Sequence, residues 1–505
     1  MAMLIDDTVG NFDFYSGGGG ETTSTISSSS SEGRNWGDWS PLVDWDALRG
    51  GNEDFHDLID SLIDHGAGAG AGYIHSDGYS NSLSPDTDMM TIDADEEPAT
   101  EDSKGLRLVH LLMAAAEALA GANKSRDLAK VILVRLKELA SPADGSNMER
   151  LAAYFTDALY SLLEGTGGSH GKRVVLHTGG GGLLYNRDPD VLAAFQLLQD
   201  MSPYVKFGHF TANQAILEAV VNDRKVHILD YDIMEGIQWP SLMQALVSRK
   251  DNSPPPTHLR ITAISHGGSA RRSIGTVQET GRRLVSFAAS IGLPFSFHQC
   301  RLDSEEGFRP SSVKLVKGEA LVVNCMLHLP HFNYRSSKSV GSFLSGAKTL
   351  NPKLMTMVEE EMGSGGGGGD GGFVGRFVDS LHYYSALYDS LEAGLLPVRG
   401  QSASRALVER VFMGPRIVAA VARIYKSGCE GEEVEEGSSG SGSWLLGIGY
   451  KPVCFSFSNH CQAKLLLGLF NDGYGVEELA KNRIALGWKS RRLLSASIWT
   501  SSSYT

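Results

Sequence analysis

The sequence predicts an α/β protein in three parts: a disordered acidic arm, a cap of helices, and a doubly wound core of parallel strands flanked by helices. Three observations predict this arrangement. The first hundred residues are acidic and of low complexity, apolar residues recur at helical spacing over 106–165, and strand-like and helix-like segments then alternate. Because helix-length segments separate the strands, they should pair in parallel through right-handed crossovers.

The arm, residues 1–103, is predicted to be disordered because its composition cannot bury enough apolar surface to offset chain entropy. Residues 1–104 hold 22 Asp and Glu against 3 Lys and Arg, a net charge of −19, whereas the rest of the chain carries +5. One amphipathic patch breaks this pattern, and its second half has the apolar spacing of a short helix. Its apolar anchors are Trp36, Trp39, Trp45, Phe55, Leu58 and Leu62.

Three amphipathic helices are predicted after the arm, within residues 106–165. Leu112 and Leu119 share a face of the first helix, and Leu128, Val131 and Leu136 lie on the second. Leu112 and Leu119 are seven residues apart, but the apolar stripe breaks within two heptads. We therefore expect a packed helical cap or a short interface, and no long free coiled coil.

The core is predicted from apolar, β-rich runs separated by helical segments. The predicted strands are 226–231, 259–264, 295–300, 321–326, 353–358 and 453–457. The predicted helices are 191–200, 211–222, one beginning at Pro240, 276–291, 373–391, 406–425 and one through 465–469, and short aromatic-rich elements end at Trp499.

The turn after the strand VHILD is the strongest candidate for a small-molecule site. Ligands of doubly wound sheets bind at the carboxyl ends of strands, which is where Asp230, Asp232, Glu235 and Gly236 fall. Bulky neighbours such as Met234 stand where a backbone would need to approach a ligand. The alternative, which the single glycine favours, is a structural turn whose acids cap the next helix.

Other catalytic or ligand motifs are weak. The glycine runs at 179–182 and 365–372 have no following Lys-Ser/Thr, so they predict flexible loops. The pairs Cys454/Cys461 with His460, and His328 with His331, lack further ligands at zinc spacing. Arginine pairs at 271–272, 282–283 and 491–492 indicate solvated faces or ion pairs more than a nucleic-acid site.

Composition excludes several classes of protein. Five scattered cysteines without a C-x-x-C pair argue against a disulfide-stabilised secreted domain. The N-terminus MAMLIDDTVG has no basic region or long apolar run, so we expect no secretory signal. We also expect no membrane span, because no apolar stretch is long enough.

Five motifs in series resemble the plant GRAS family of transcriptional regulators, over roughly residues 104–500. They are VHILD with the following Gly-x-Gln-Trp-Pro, the run LPFSFHQC to LPH, the segments NPKLMTMVEEE and RFVDSLHYYSALYDSLEA, LVERVFMGPRI, and the ending LGWKSRRLLSASIW. The resemblance divides the domain into leucine repeat I (106–165), a VHIID region (189–256), leucine repeat II (276–308), a PFYRE region (318–410) and a SAW region (413–499). The VHIID motif falls on Val226, His227, Ile228, Leu229 and Asp230.

This resemblance implies a Rossmann- or methyltransferase-like core and a non-enzymatic nuclear regulator without cofactor, metal, catalytic residue or small-molecule substrate. Shuttling from the nuclear envelope or endoplasmic reticulum stays open. WSPLVDWDALRG in the arm and the run at 192–220 are similar to a branch that controls nodulation, mycorrhization and strigolactone biosynthesis genes. That branch works in a complex with a second GRAS protein, so binding to promoter DNA is expected to be indirect or partner-dependent.

The first functional hypothesis is therefore a transcriptional regulator whose arm patch activates and whose partner binds leucine repeat I. The predicted partner face comprises Leu112, Leu119, Leu128, Val131 and Leu136. Two alternatives stand beside it. One is a methyltransferase-like enzyme that binds S-adenosylmethionine at the turn after VHILD, and the other is a scaffold that binds partners without activating.

Overall fold

The computed structural model describes residues 101–120, 124–165, 188–248, 256–265, 276–303, 307–329, 337–362, 372–394, 401–429 and 441–501. The predicted acidic arm and its patch (Trp36, Trp39, Trp45, Phe55, Leu58 and Leu62) lie outside these residues and stay predictions. Within the described ranges, no helix is both long and apolar enough to cross a membrane.

The described chain forms a helical cap followed by an α/β core. The cap helices are α1 (Glu101–Ala120), α2 (Arg126–Leu139) and α3 (Asn147–Leu163). The core begins with α4 (Asp188–Met201), α5 (Tyr204–Ala219), β1 (Lys225–Tyr231), α6 (Gln238–Val247), β2 (His258–Ser265), α7 (Val277–Ser290), β3 (Phe295–Arg301), β4 (Ala320–Met326), α8 (Ser337–Thr349) and β5 (Leu354–Glu360). It continues with α9 (Phe373–Ala393), α10 (Gln401–Val408), a π-helical turn (Glu409–Met413), α11 (Gly414–Cys429), α12 (Ser441–Gly447), β6 (Lys451–Pro452), α13 (Phe457–Leu467), β7 (Tyr474–Ala480), β8 (Arg483–Trp488) and β9 (Arg491–Thr500).

The strands of the described residues form one sheet in the order β3-β2-β1-β4-β5-β9-β8-β7, with β6 beside β9. The five strands from β3 to β5 are parallel, and the order reverses between β1 and β4. β9 then pairs with β5 in the antiparallel direction, as does β8 with β9. Alternate residues of β1 enter two hydrophobic clusters, Ile228 one and Leu229 the other, so the sheet is buried on both faces. The predicted doubly wound α/β fold is thus confirmed.

Side-chain capping fixes where the cap helices begin. Ser125 accepts a hydrogen bond from the Leu128 amide at the start of α2, and Ser146 forms a reciprocal capping box with Glu149 at the start of α3. The buried face of α3 packs on α9, where the Phe155 and Phe377 ring centroids are 5.4 Å apart, edge to face. The cap and the core therefore share one continuous hydrophobic cluster.

The structure corrects several of the predicted elements. The predicted strand 453–457 is wrong: only Lys451–Pro452 pairs in the sheet, and Phe457 begins α13, eight residues before the predicted helix segment. The expected short elements at the end are three strands, β7 to β9. Helices α5 and α6 begin at Tyr204 and Gln238, earlier than predicted, and α8 was not predicted.

Candidate functional site

Residues 226–230, the VHILD motif, make up most of β1 and are buried. Val226 and Ile228 enter the larger hydrophobic cluster, and Leu229 enters the second one. His227 Nε2 lies 2.8 Å from Thr262 Oγ1, and burial lowers the pKa of His227 to about 3. These four side chains therefore hold the centre of the sheet together and are closed to ligands.

Asp230 ends the motif at the reversal of strand order, beside Asn324 in the β1–β4 register. Its Oδ1 accepts a hydrogen bond from Asn324 Nδ2 (2.9 Å), and its Oδ2 accepts one from Trp239 Nε1 (2.8 Å). Gln238 Nε2 in turn donates to Asn324 Oδ1 at 3.2 Å. Burial raises the pKa of Asp230 to about 7, although the two donated hydrogen bonds act in the opposite direction. The carboxyl group is thus bound by the protein's own donors.

The turn after β1 has a left-handed backbone at Asp232 (φ 58°), Met234 (φ 49°) and Gly236 (φ 68°). Thr280 Oγ1 of α7 donates a hydrogen bond to the Met234 carbonyl oxygen at 2.9 Å. A Cβ at position 236 would lie 2.8 Å from Thr280 Cγ2, so both the backbone and the close approach require glycine there. The glycine allows the turn to pack on α7, as the structural interpretation of the motif predicts.

The crevice beyond the strand ends is filled by the chain itself. In doubly wound proteins this switch point is where a nucleotide or other cofactor binds. Here apolar side chains line it together with Asp230, Asp232, Glu235, Gln238 and His209, and the space between them is about one water molecule in size. Burial lowers the pKa of His209 to about 3. The apolar lining comprises Phe195, Ile233, Met234, Ile237, Trp239, Met326 and Leu329.

The other candidate ligand sets do not assemble in the described part of the chain. No group of three or more His, Cys, Asp or Glu side chains is placed there to hold a metal ion. Cys454 is exposed and Cys461 is half-buried, whereas His328 is fully buried and His331 lies outside the described residues. These residues therefore supply no zinc site in the described ranges.

The basic cluster at 489–492 is engaged in ion pairs. Lys489 Nζ lies 2.7 Å from Asp389 Oδ2, and Arg492 pairs with Glu477 at 2.6 Å. Arg491 is buried, while Arg282 and Arg283 are exposed on α7. Because paired and buried cations bind phosphate poorly, the 489–492 cluster is a weak nucleic-acid site.

The structure corrects most of the predicted partner face on the cap. Leu112 and Leu136 are fully buried, and Leu119 is buried too, so these three leucines pack inside the cap and offer no accessible surface. Leu128 is half-buried, and Val131 on α2 is 66% exposed.

Sequence reasoning missed Val134, which lies beside Val131 on α2 and is 48% exposed. Its spacing of three residues from Val131 places both on one helix face, so periodicity could have found the pair. We call Val131 and Val134 the α2 face.

A buried ion cluster joins the cap to the core. Arg150 of α3 donates to Glu409 Oε1 (3.2 Å) in the π-helical turn, to Glu392 Oε2 (2.8 Å) on α9 and to the Gly145 carbonyl (2.6 Å). Arg405 also contacts Glu392, at 2.8 Å from both of its oxygens. Burial raises the pKa of Glu409, although the two arginines lower it. The cap is therefore tied to the core by charges as well as by apolar contacts.

Comparisons with known proteins give one consistent family. The sequence profile of the GRAS domain family matches residues 108–500. The chain is 58% identical over 482 residues to Protein NODULATION SIGNALING PATHWAY 2 of Lotus japonicus and 56% identical over 502 residues to the protein of that name in Medicago truncatula, with 93% of each chain covered in both cases. It is also 52% identical to Scarecrow-like protein 26 of Arabidopsis thaliana, with 91% of both chains covered.

A solved structure supports the same fold. The crystal structure of SCL7 from Oryza sativa matches with a TM-score of 0.60 and 31% identity, and the match covers 78% of this chain and 99% of that one. That structure has a Rossmann-like fold, which agrees with the doubly wound sheet described above.

Proposed function

This chain belongs to the GRAS domain family, whose members are transcriptional regulators in plant signalling. From that premise we propose that it has no enzymatic activity and acts in a complex with another GRAS protein. The complex would control genes of root symbiosis, both nodulation and mycorrhization, and of strigolactone biosynthesis. The names of the two relatives called NODULATION SIGNALING PATHWAY 2, at 58% and 56% identity, support the nodulation part.

The filled crevice carries the non-enzymatic part of the proposal. A nucleoside cofactor needs a cavity of several hundred Å³, and the side chains at the strand ends leave room for about one water molecule. The polar groups there are also used, since Asp230 already accepts from Asn324 and Trp239. We therefore expect calorimetry with S-adenosylmethionine to give no heat of binding, and micromolar binding that Asp230→Ala abolishes would contradict the proposal.

The partner is proposed to bind the cap through the α2 face. Val131 and Val134 are exposed, whereas Leu112, Leu119 and Leu136 are buried, so we place the contact on the two valines. Exposed valines on one helix face are typical of a small protein–protein contact.

Glutamate substitutions of the α2 face test the partner site. Val131→Glu with Val134→Glu should weaken association with a second GRAS protein at least about tenfold, because the contact would bury two charges. Binding to each full-length GRAS protein of the source plant can be measured by calorimetry. Val285→Glu on α7 is the matched control, because Val285 is 45% exposed and lies on another surface. Full affinity of the folded double variant for every partner would refute the site.

Promoter binding is proposed to depend on that partner, and the site of action is proposed to be the nucleus. The body carries only +5, and the 489–492 cluster is already paired or buried. The isolated chain should therefore bind promoter DNA weakly, whereas tight binding with a steep salt dependence would show direct contact.

A further inference from the structure

The helix α13 carries an apolar stripe in solvent. Phe457 is 83% exposed, Leu465 is 74% exposed and Leu469, in the turn that follows the helix, is 79% exposed. Cys461 lies between them and is half-buried. Because these four residues are spaced by four, they follow one side of the helix, and we call them the C-terminal stripe. Contiguous apolar surface of this kind marks an interaction site.

The opposite side of α13 is anchored, so the C-terminal stripe cannot turn inward. Asn459 Nδ2 donates to the Thr211 carbonyl of α5 at 3.0 Å, and Ala463 and Leu466 are buried against the core. Ser456 caps the helix by accepting from the Asn459 amide at 3.0 Å. The stripe is therefore a preformed surface on a fixed helix.

The charges around the C-terminal stripe favour an acidic occupant. Residues 457–470 contain no Asp or Glu, Lys464 is exposed among them, and Lys206 Nζ of α5 lies 5.5 Å from the Phe470 ring centroid. Neither lysine pairs with a carboxylate in the described part of the chain.

Two of the nearby acids already have partners, while a third, Asp472, lies three residues beyond Leu469. Glu218 accepts a hydrogen bond from Ser456 Oγ at 2.6 Å, and Glu478 lies 3.8 Å from His460. Lys464 and Lys206 can therefore pair with acidic residues of a bound segment.

The chain contains a segment with the matching chemistry. Residues 54–64 place five apolar residues at i, i+3, i+4, i+7 and i+8 and carry four aspartates with no Lys or Arg; the apolar residues are Phe55, Leu58, Ile59, Leu62 and Ile63. Thirty-six residues separate this segment from α1, and a chain of that length can span at most about 120 Å.

We propose that the acidic segment 54–64 docks as an amphipathic helix on the C-terminal stripe of its own chain. Its apolar face would cover Phe457, Leu465 and Leu469, and its aspartates would meet Lys464 and Lys206. Tethering favours this occupant, because a segment on the same chain binds in an intramolecular step and needs no encounter with a second molecule. A weak contact is therefore enough to keep the stripe covered.

Photocrosslinking in the full-length protein tests the docking. A photoreactive phenylalanine analogue in place of Phe457 should cross-link to residues 54–64 within one chain. Leu465→Glu should lower the yield at least about tenfold, because the contact would have to bury a carboxylate in place of an apolar side chain. Leu58→Asp with Leu62→Asp should do the same. Position 465 is so exposed that the fold should tolerate the change, and Val285→Glu is the matched control that leaves the yield unchanged.

The products separate the possible occupants. A mixture of isotopically labelled and unlabelled protein tells links within a chain from links between chains. Links between two copies of α13 would show that a second copy covers the stripe, and links to residues 54–64 of another chain would show exchange between copies. Either result, or no link to residues 54–64, would overturn the proposal. The proposed partner site on the α2 face is tested independently of this docking, because Val131→Glu does not change the C-terminal stripe.

Discussion

Removing Arg150 should show how strongly the cap is tied to the core. Its guanidinium and the Glu409 carboxylate are both buried, and the structure gives Arg150 charged partners on α9 and in the π-helical turn. Arg150→Met keeps most of the side-chain volume but leaves Glu409 with only the more distant Arg405, at 3.5 Å. Breaking a buried ion pair on one side costs about 3–5 kcal/mol, which is a large share of an unfolding free energy of about 5–15 kcal/mol.

The effect of Arg150→Met should depend on pH and on Glu409. Burial already raises the pKa of Glu409, and losing Arg150 raises it further, so the folded variant keeps a proton there that the unfolded chain releases. The extra destabilisation is therefore small in acid and grows as the pH rises through the folded pKa. Adding Glu409→Gln should restore at least about 1 kcal/mol and remove this pH dependence, because Arg405 still has both oxygens of Glu392.

Urea unfolding of the full-length protein, followed by circular dichroism at 222 nm, measures these free energies. Arg135→Met is the control, because Arg135 pairs with Glu138 on the exposed surface of α2 and its loss should cost less than about 1 kcal/mol. If Arg150→Met costs no more than Arg135→Met, the cluster does not hold the cap, and the reasoning is refuted.

Two further predictions concern the turn after β1. Gly236→Ala should lower the unfolding free energy by at least about 1–2 kcal/mol, because φ is +68° there and the new Cβ would contact Thr280. The control Gly375→Ala, which has open space around it on α9, should be neutral or slightly stabilising. Equal changes in the unfolding free energy of the two variants, measured in urea, would contradict this prediction. The raised pKa of Asp230 means that its folded carboxyl keeps a proton that the unfolded one loses between pH 3.8 and about 7, so wild type should lose up to about 1.4 kcal/mol per pH unit relative to Asp230→Asn as pH rises through that window. The titration of buried His209 contributes equally to both proteins, so it cancels in the difference between their unfolding free energies. If that difference did not change with pH, Asp230 would be ionised in the folded protein and the prediction would be wrong.

The central strands could be predicted from sequence because strands that are buried on both faces consist of nearly continuous apolar residues. β4, for example, is ALVVNCM, and all seven of its residues are buried. β7 has the sequence YGVEELA and only one buried residue, so it gives no such signal, and its pairing with β8 makes it a strand. The stretch before α13 misleads in the opposite way: Phe455-Ser456-Phe457 alternates like a strand, but Ser456 is a helix N-cap.

The candidate site shows the same limit at the level of side chains. Periodicity correctly puts Leu112 and Leu136 on the apolar faces of their helices, but it cannot say whether such a face meets another helix or a partner. That depends on α3, the third cap helix, and on α9, which packs against α1 from more than 200 residues further along the chain. Periodicity could place Val131 and Val134 on one helix face, but their exposure and that of the C-terminal stripe are known only from the structure.

The polar groups at the strand ends are bound to one another in this protein. A doubly wound sheet offers a ligand the polar groups at the reversal of strand order, namely those of β1, β4 and the turn that follows β1. In this chain those groups satisfy one another: Asn324 and Trp239 donate to Asp230, and Thr280 donates to the turn. Emptying the crevice would leave buried donors and an acceptor without partners, at about 1–3 kcal/mol for each group. The site is therefore closed by the same bonds that stabilise the sheet, and our proposals place the contacts with other chain segments and partners on the exposed apolar residues of α2 and α13.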